Sequence, residues 1–116
     1  MSVASLNAHH FYREVAANRV VWAIRDKDGI PVPINSEGVR AIPFWSLESR
    51  ALKVIGNVQA YKNFEPFSID WGTFCDRWVP GMTKDGLLAG VNWSGVWATG
   101  YDIQPRELQR NVEALM

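Results

Sequence analysis

The sequence predicts an α+β fold: one compact domain over residues 1–116, with an antiparallel or mixed sheet of about five strands packed against about four helices. Three observations carry that prediction. A β-like run, Val39 to Trp45, feeds directly into an amphipathic helix that ends near Gly56. Two hairpin-type turn signals, Asp28-Gly29 and Ser94-Gly95, punctuate the chain. Hairpins and helices mix along the sequence rather than alternating strictly, which disfavours a doubly wound parallel sheet.

The first helix is expected from Leu6 to about Asn18. Asn7 is its expected N-cap, Leu6 and Phe11 stand at the two positions of a hydrophobic staple, and Ala8, Phe11, Tyr12 and Val15 form the buried stripe. Arg19 to Arg25 reads as a strand apolar on both faces. Ile30-Pro31-Val32-Pro33-Ile34 carries two prolines whose missing amides face one side, so it is an edge strand or an extended connector. Asn35 to Gly38 turns the chain into the strand Val39 to Trp45.

Ser46 is the expected cap of the central helix, and Glu48 lies in its first turn, where the dipole favours an anion. Leu47, Ala51, Val54, Ile55 and Val58 recur at helical spacing. Phe67 to Ile69 is a short extended piece. Asp70 caps a third helix, with Ile69 and Phe74 as its staple and Trp71, Phe74, Cys75, Trp78 and Val79 as its stripe. Pro80-Gly81 is expected to break that helix, and Lys84-Asp85-Gly86 is a turn. Pro105 and Glu107 open a last helix with Leu108, Val112 and Leu115 on one side.

Between these helices, Leu87 to Trp93 and Val96 to Ile103 form a hairpin. A two-residue Ser94-Gly95 loop places Trp93 opposite Val96 and Asn92 opposite Trp97. In that register Leu87, Ala89, Val91, Trp93, Val96 and Ala98 share the core face, and Leu88, Gly90, Asn92, Trp97, Thr99 and Tyr101 share the other.

Bulk composition removes several functions. Apolar residues make up 47% and charged residues 21%, which excludes a low-hydrophobicity disordered chain. Lys+Arg and Asp+Glu balance at 12 each, so the basic surplus of a nucleic-acid binder is missing. The single cysteine, Cys75, forms no internal disulfide and no cysteine-rich zinc site. Met1 to Arg19 lacks the pattern of a signal peptide, and no apolar run reaches bilayer length. A bacterial, cytoplasmic protein with no membrane partner is the expectation. Six tryptophans are many for this length, so either the core is unusually aromatic or some rings are surface anchors.

Several stretches together carry a resemblance. They are Val21-Trp22-Ala23-Ile24 near Asp28-Gly29, Pro43-Phe44-Trp45-Ser46 with Ala51 one turn on, the Asp70-capped Trp/Phe helix, Asp85-Gly86, and Gly90-Val91-Asn92-Trp93. Over nearly the whole chain they resemble a family of small bacterial proteins, domain of unknown function 2750. The layout also loosely resembles SseB-type interaction domains, in which a strand runs into an aromatic-Ser helix start. The first resemblance implies a compact α+β protein. Neither supplies catalytic residues.

Candidate chemistry is sparse. His10 and Glu14 lie four apart on a helix and can share a face toward a metal, but no third ligand stands nearby, so no metal is expected. Cys75 falls on the apolar stripe, where burial quiets a thiol. Asp70 reads as a cap and Asp85 as a turn residue. No glycine-rich phosphate loop is present and no cofactor is expected. A glycine inside a strand, Gly90, marks a close approach by a ligand or by neighbouring backbone. Gly90, Asn92, Trp97, Thr99 and Tyr101 are therefore the candidate partner-binding residues. The leading expectation is a non-enzymatic protein-interaction module, immunity-type or dimeric. The alternatives are a small enzyme with a pocket near Cys75, His10 or Asp85, and single-stranded nucleic-acid binding through the aromatics.

Overall fold

In the computed structural model, which describes residues 2–116, strand β1 (Val20–Arg25) has apolar residues on both faces, as its sequence requires. Val21 and Ala23 enter one core cluster; Trp22 and Ile24 enter a second on the opposite side. The other strands are β2 (Ala41–Phe44), β3 (Glu65–Asp70), β4 (Leu88–Ser94) and β5 (Thr99–Ile103). β1 pairs antiparallel with β3, while β2 pairs parallel with β4, which pairs antiparallel with β5. One bridge joins the two sheets. Trp22 N–H donates to Trp45 O at 2.7 Å, and Trp45 N–H donates to Trp22 O at 2.8 Å.

The seam has a sequence cause. The next hydrogen-bonding position of β2 toward β1 is residue 43, two residues from Trp45, and Pro43 has no N–H to give. Residues 33–35 pair beside the start of β2 instead, with Ala41 N–H on Pro33 O at 3.0 Å and Asn35 N–H on Val39 O at 2.8 Å. The proline-rich stretch is thus an extended connector rather than a full strand.

Helices cover both faces. α1 (Val3–Asn18), a helical segment over residues 71–84 (α3) and α4 (Pro105–Glu113) enclose the first cluster, built on Phe11, Val15, Phe44, Phe74, Val91 and Leu108. α2 (Glu48–Asn57) and the short turn Gln59–Tyr61 enclose the second, built on Trp45, Ala51, Val54, Tyr61 and Trp93. Five of the six tryptophans are buried or half-buried within or against these clusters; Trp97 alone is exposed.

Four local expectations change. Ser2, not Asn7, caps α1, its Oγ accepting from Ser5 N–H at 3.1 Å. Leu6 is exposed while Phe11 is fully buried, so that staple does not form. α2 begins at Glu48 behind Leu47 with no side-chain cap, because the Ser46 hydroxyl is engaged elsewhere. Leu115 lies beyond α4 and is exposed.

Asp70 caps α3 as expected, accepting from Thr73 N–H at 3.2 Å. Pro80-Gly81 does not end that segment. Phe74–Trp78 is π-helical, with Val79 N–H on Phe74 O, and this puts Pro80 in the first turn of the following Val79–Lys84 helix. A proline is tolerated there because its N–H would be unused.

Candidate functional site

The β4–β5 hairpin carries a bulge. Val91 opposes Tyr101 and Ser94 opposes Thr99, so Asn92 and Trp93 together face the single residue Gly100. Asn92 adopts the left-handed backbone (φ 49°), which asparagine tolerates better than most residues. The turn spans four residues, 95–98, rather than two. The expected pairs Trp93–Val96 and Asn92–Trp97 are therefore not formed, and Val96 is 61% exposed instead of in the core. One extra residue inverts the face of everything beyond it, so Gly90, Asn92, Trp97, Thr99 and Tyr101 do not share a face.

The bulge turns Asn92 inward, where it is 2% exposed. Its Oδ1 accepts from Ser46 N–H at 3.0 Å. Its Nδ2 donates to Ser46 Oγ at 3.0 Å and to Asn7 O, inside α1, at 3.1 Å. Ser46, 1% exposed, donates in turn to Glu14 Oε1 at 2.6 Å. Glu14 holds Arg50 through Nε at 2.9 Å and Nη2 at 3.2 Å, and Arg50 Nη2 lies 3.2 Å from His10 Nδ1. This chain ties α1, the β2–α2 corner and the bulge together. Its serine is sealed from solvent and hydrogen-bonds a carboxylate rather than an imidazole, so it is no nucleophile–base pair.

Burial alone would raise the Glu14 carboxyl. The hydrogen bonds from Arg50 and Ser46, with the charges of Arg50 and His10, outweigh it and hold Glu14 below its ordinary value of 4.5. A carboxylate lowered on folding adds stability above its unfolded pKa and loses it as pH falls through the folded one. The urea midpoint should therefore decline as pH drops below about 4.5, and Glu14→Gln should flatten that decline. An equal slope in the variant would remove Glu14 from the acid response.

A groove of about 640 Å³ opens at the β5 edge of the sheet, bordered by residues 33–37 and 97–102. The Trp93 indole forms its floor, lying on two glycines. A Cβ on Gly90 would stand 2.3–2.5 Å from three indole atoms, and one on Gly100 would stand 2.8 Å from Trp93 Cδ1. The neighbour that Gly90 admits is thus a ring of its own chain. Trp93 Nε1 donates to Asp102 Oδ1 at 3.0 Å, and Asn35 Nδ2 donates to Asp102 Oδ2 at 3.1 Å. Asn35 is itself fixed, its Oδ1 accepting from Glu37 N–H at 2.9 Å and Val39 N–H at 3.0 Å. Tyr61, Leu88, Trp97, Thr99 and Tyr101 also border the groove, Tyr101 from the opposite face of the sheet, since it pairs with Val91 of the first cluster. Burial pushes the Tyr61 phenol up, so it stays neutral at physiological pH.

Three of the five candidate residues, Trp97, Thr99 and Tyr101, thus border one groove. Gly90 lies beneath its floor and Asn92 points away into the buried network. Sequence reasoning missed Trp93, Tyr61, Asn35 and Asp102. The one available signal was Asp102 itself, a carboxylate within a strand, where Asp is depleted.

The remaining candidates lie apart. His10 and Glu14 do share a face, but Arg50 sits between them and places a cation where a metal would go. Among the described residues no three His, Cys, Asp or Glu side chains are gathered. Cys75 packs against the first cluster, and burial, with Glu113 and Asp76, pushes its thiol up to about 11. Little thiolate then exists near neutral pH. Asp85 borders a second cavity of about 280 Å³ with Arg77, Trp78 and Leu87, which includes neither Cys75 nor His10. No helix among the described residues is long and apolar enough to cross a membrane.

No curated protein and no solved structure matches the chain. One family model does, over residues 8–112. That span runs from within α1 into α4 and takes in both clusters, the bulge and all of the groove lining except Ala4, and the chain belongs to this family, described as Protein of unknown function (DUF2750).

Proposed function

We propose that this chain is a non-enzymatic protein-recognition module that binds its partner through the groove beside the β4–β5 hairpin, with Trp97 as the anchor. One observation carries the reading: Trp97 is 84% exposed at the groove's edge, while the other five tryptophans are buried or half-buried. A solvated indole makes no contribution to a core, and tryptophan is enriched among residues that dominate binding energy. The Trp93 indole floor extends the aromatic surface. The acidic side chains Glu37 and Asp102 at the groove oppose a phosphate backbone, which sets nucleic acid aside.

Trp97→Ala should change unfolding free energy by less than about 0.5 kcal/mol, measured by urea denaturation. A loss of several kcal/mol would mark the ring as structural. For binding, a photo-crosslinking residue at position 97 should give a covalent adduct of defined mass in cells, and the same residue at exposed position 106 should not. An adduct of twice the chain mass would assign self-association, and any other single mass a separate partner. Equal labelling at both positions, or none at 97, would defeat the proposal.

A further inference from the structure

We infer that the groove receives an arginine side chain of a partner protein, an inference that rests on the recognition role proposed above. Charge points to a cation. The protein is neutral overall, yet the groove lining holds two carboxylates, Glu37 and Asp102, and no lysine, arginine or histidine. Asp102 has no ion-pair partner among the described residues; the one salt bridge there joins Arg50 to Glu14. Its charge therefore faces the groove uncompensated.

Geometry narrows the cation to a guanidinium. A carboxylate offers two acceptor sites on each oxygen. Trp93 Nε1 uses one on Oδ1 and Asn35 Nδ2 uses one on Oδ2, leaving one on each. Two parallel N–H donors are what a guanidinium fork presents, whereas an ammonium is a point charge. The Asn35 turn and the indole also fix both oxygens before a ligand arrives, which reduces the ordering cost of binding. The aromatic lining suits the same group. Guanidinium planes stack on indole and phenol faces, which Trp93, Trp97 and Tyr61 supply, and Leu88 and Ala98 in the lining offer apolar surface to the arginine stem.

The test is an NMR titration of the full chain, following the indole N–H signals of Trp93 and Trp97. The probes are blocked Gly-Arg-Gly, its citrulline and lysine counterparts, and Gly-Glu-Gly. The arginine peptide should shift the Trp93 signal saturably and more weakly at high salt. Citrulline should bind at least tenfold more weakly, since it keeps the shape and loses the charge. Asp102→Asn should lower arginine-peptide affinity about tenfold or more. Glu37→Gln, at an exposed rim position, should lower it severalfold and serves if the Asp102 variant misfolds. Citrulline binding as well as arginine, with Trp97→Ala weakening both, overturns the cation inference and leaves the recognition surface standing. Lysine binding as well as arginine overturns the guanidinium assignment. No shift at either indole with any peptide overturns the inference and the recognition role together.

Discussion

Asn92→Ala is expected to lower unfolding free energy by about 3–5 kcal/mol, combining a buried orphan donor with a left-handed backbone that alanine resists. The substitution leaves Ser46 N–H without its acceptor, Ser46 Oγ without a donor and Asn7 O without its extra partner. Both Ser46 groups lie where water has little access, and Asn7 is half-buried. Asn92→Gly removes the same side-chain atoms but accepts φ near 49°, so it should be the milder variant. The difference between the two, read from urea midpoints at a common slope, isolates the backbone contribution. A cost below about 1 kcal/mol for Asn92→Ala, within the range of ordinary surface changes, would mean that the network does not hold the hairpin.

Gly90→Ala should cost about 3 kcal/mol, the upper range for overpacking a filled site. The added carbon would fall within 2.5 Å of the Trp93 ring, so the ring would have to lift off both glycines toward the groove. The Asp102 carboxylate holds its N–H in the seated position. Displacing the indole therefore breaks a hydrogen bond as well as a packing contact. A double-mutant cycle checks the cause. Trp93→Leu opens space over Gly90, so the pair should be less destabilising than the sum by about 1–3 kcal/mol. Strict additivity would place the cost of Gly90→Ala elsewhere in the strand.

Much of the architecture was legible because it follows from local rules. Val20 to Arg25 is apolar in both parities, and β1 is covered on both sides. Asp70 before Trp71 reads as a cap and is one. Three features were hidden, each for a physical reason. A single left-handed residue at Asn92 changes the parity of the hairpin, and nothing in the alternation of apolar residues announces one inserted position. Ser46 reads as a helix cap by local chemistry. Its partners are 32 and 46 residues away, so the competing hydrogen bonds exist only once the sheet has assembled. Pro80 is a similar case. Proline disfavours a continuing helix, yet the π-helical turn before it makes a new first turn in which a proline fits.

For the groove, the aromatic side chains were visible but their environments were not. Trp93 and Trp97 are the same residue type four positions apart, and one is floor while the other stands in solvent. Only the bulge and the four-residue turn separate them.

Pro43 leaves the two halves of the sheet stitched by a single pair of reciprocal backbone bonds at Trp22 and Trp45. Cohesion between β1-β3 and β2-β4-β5 thus passes mainly through the layers above and below, in the manner of planks held by battens. Phe44 is pressed edge-on against Phe74 and Trp78 on one side, and Trp45 is clasped on the other, its indole N–H reaching Trp93 O at 2.9 Å. The batten should therefore go before the plank: truncating one of these rings should loosen β1-β3 from β2-β4-β5 while each sheet keeps its own ladder.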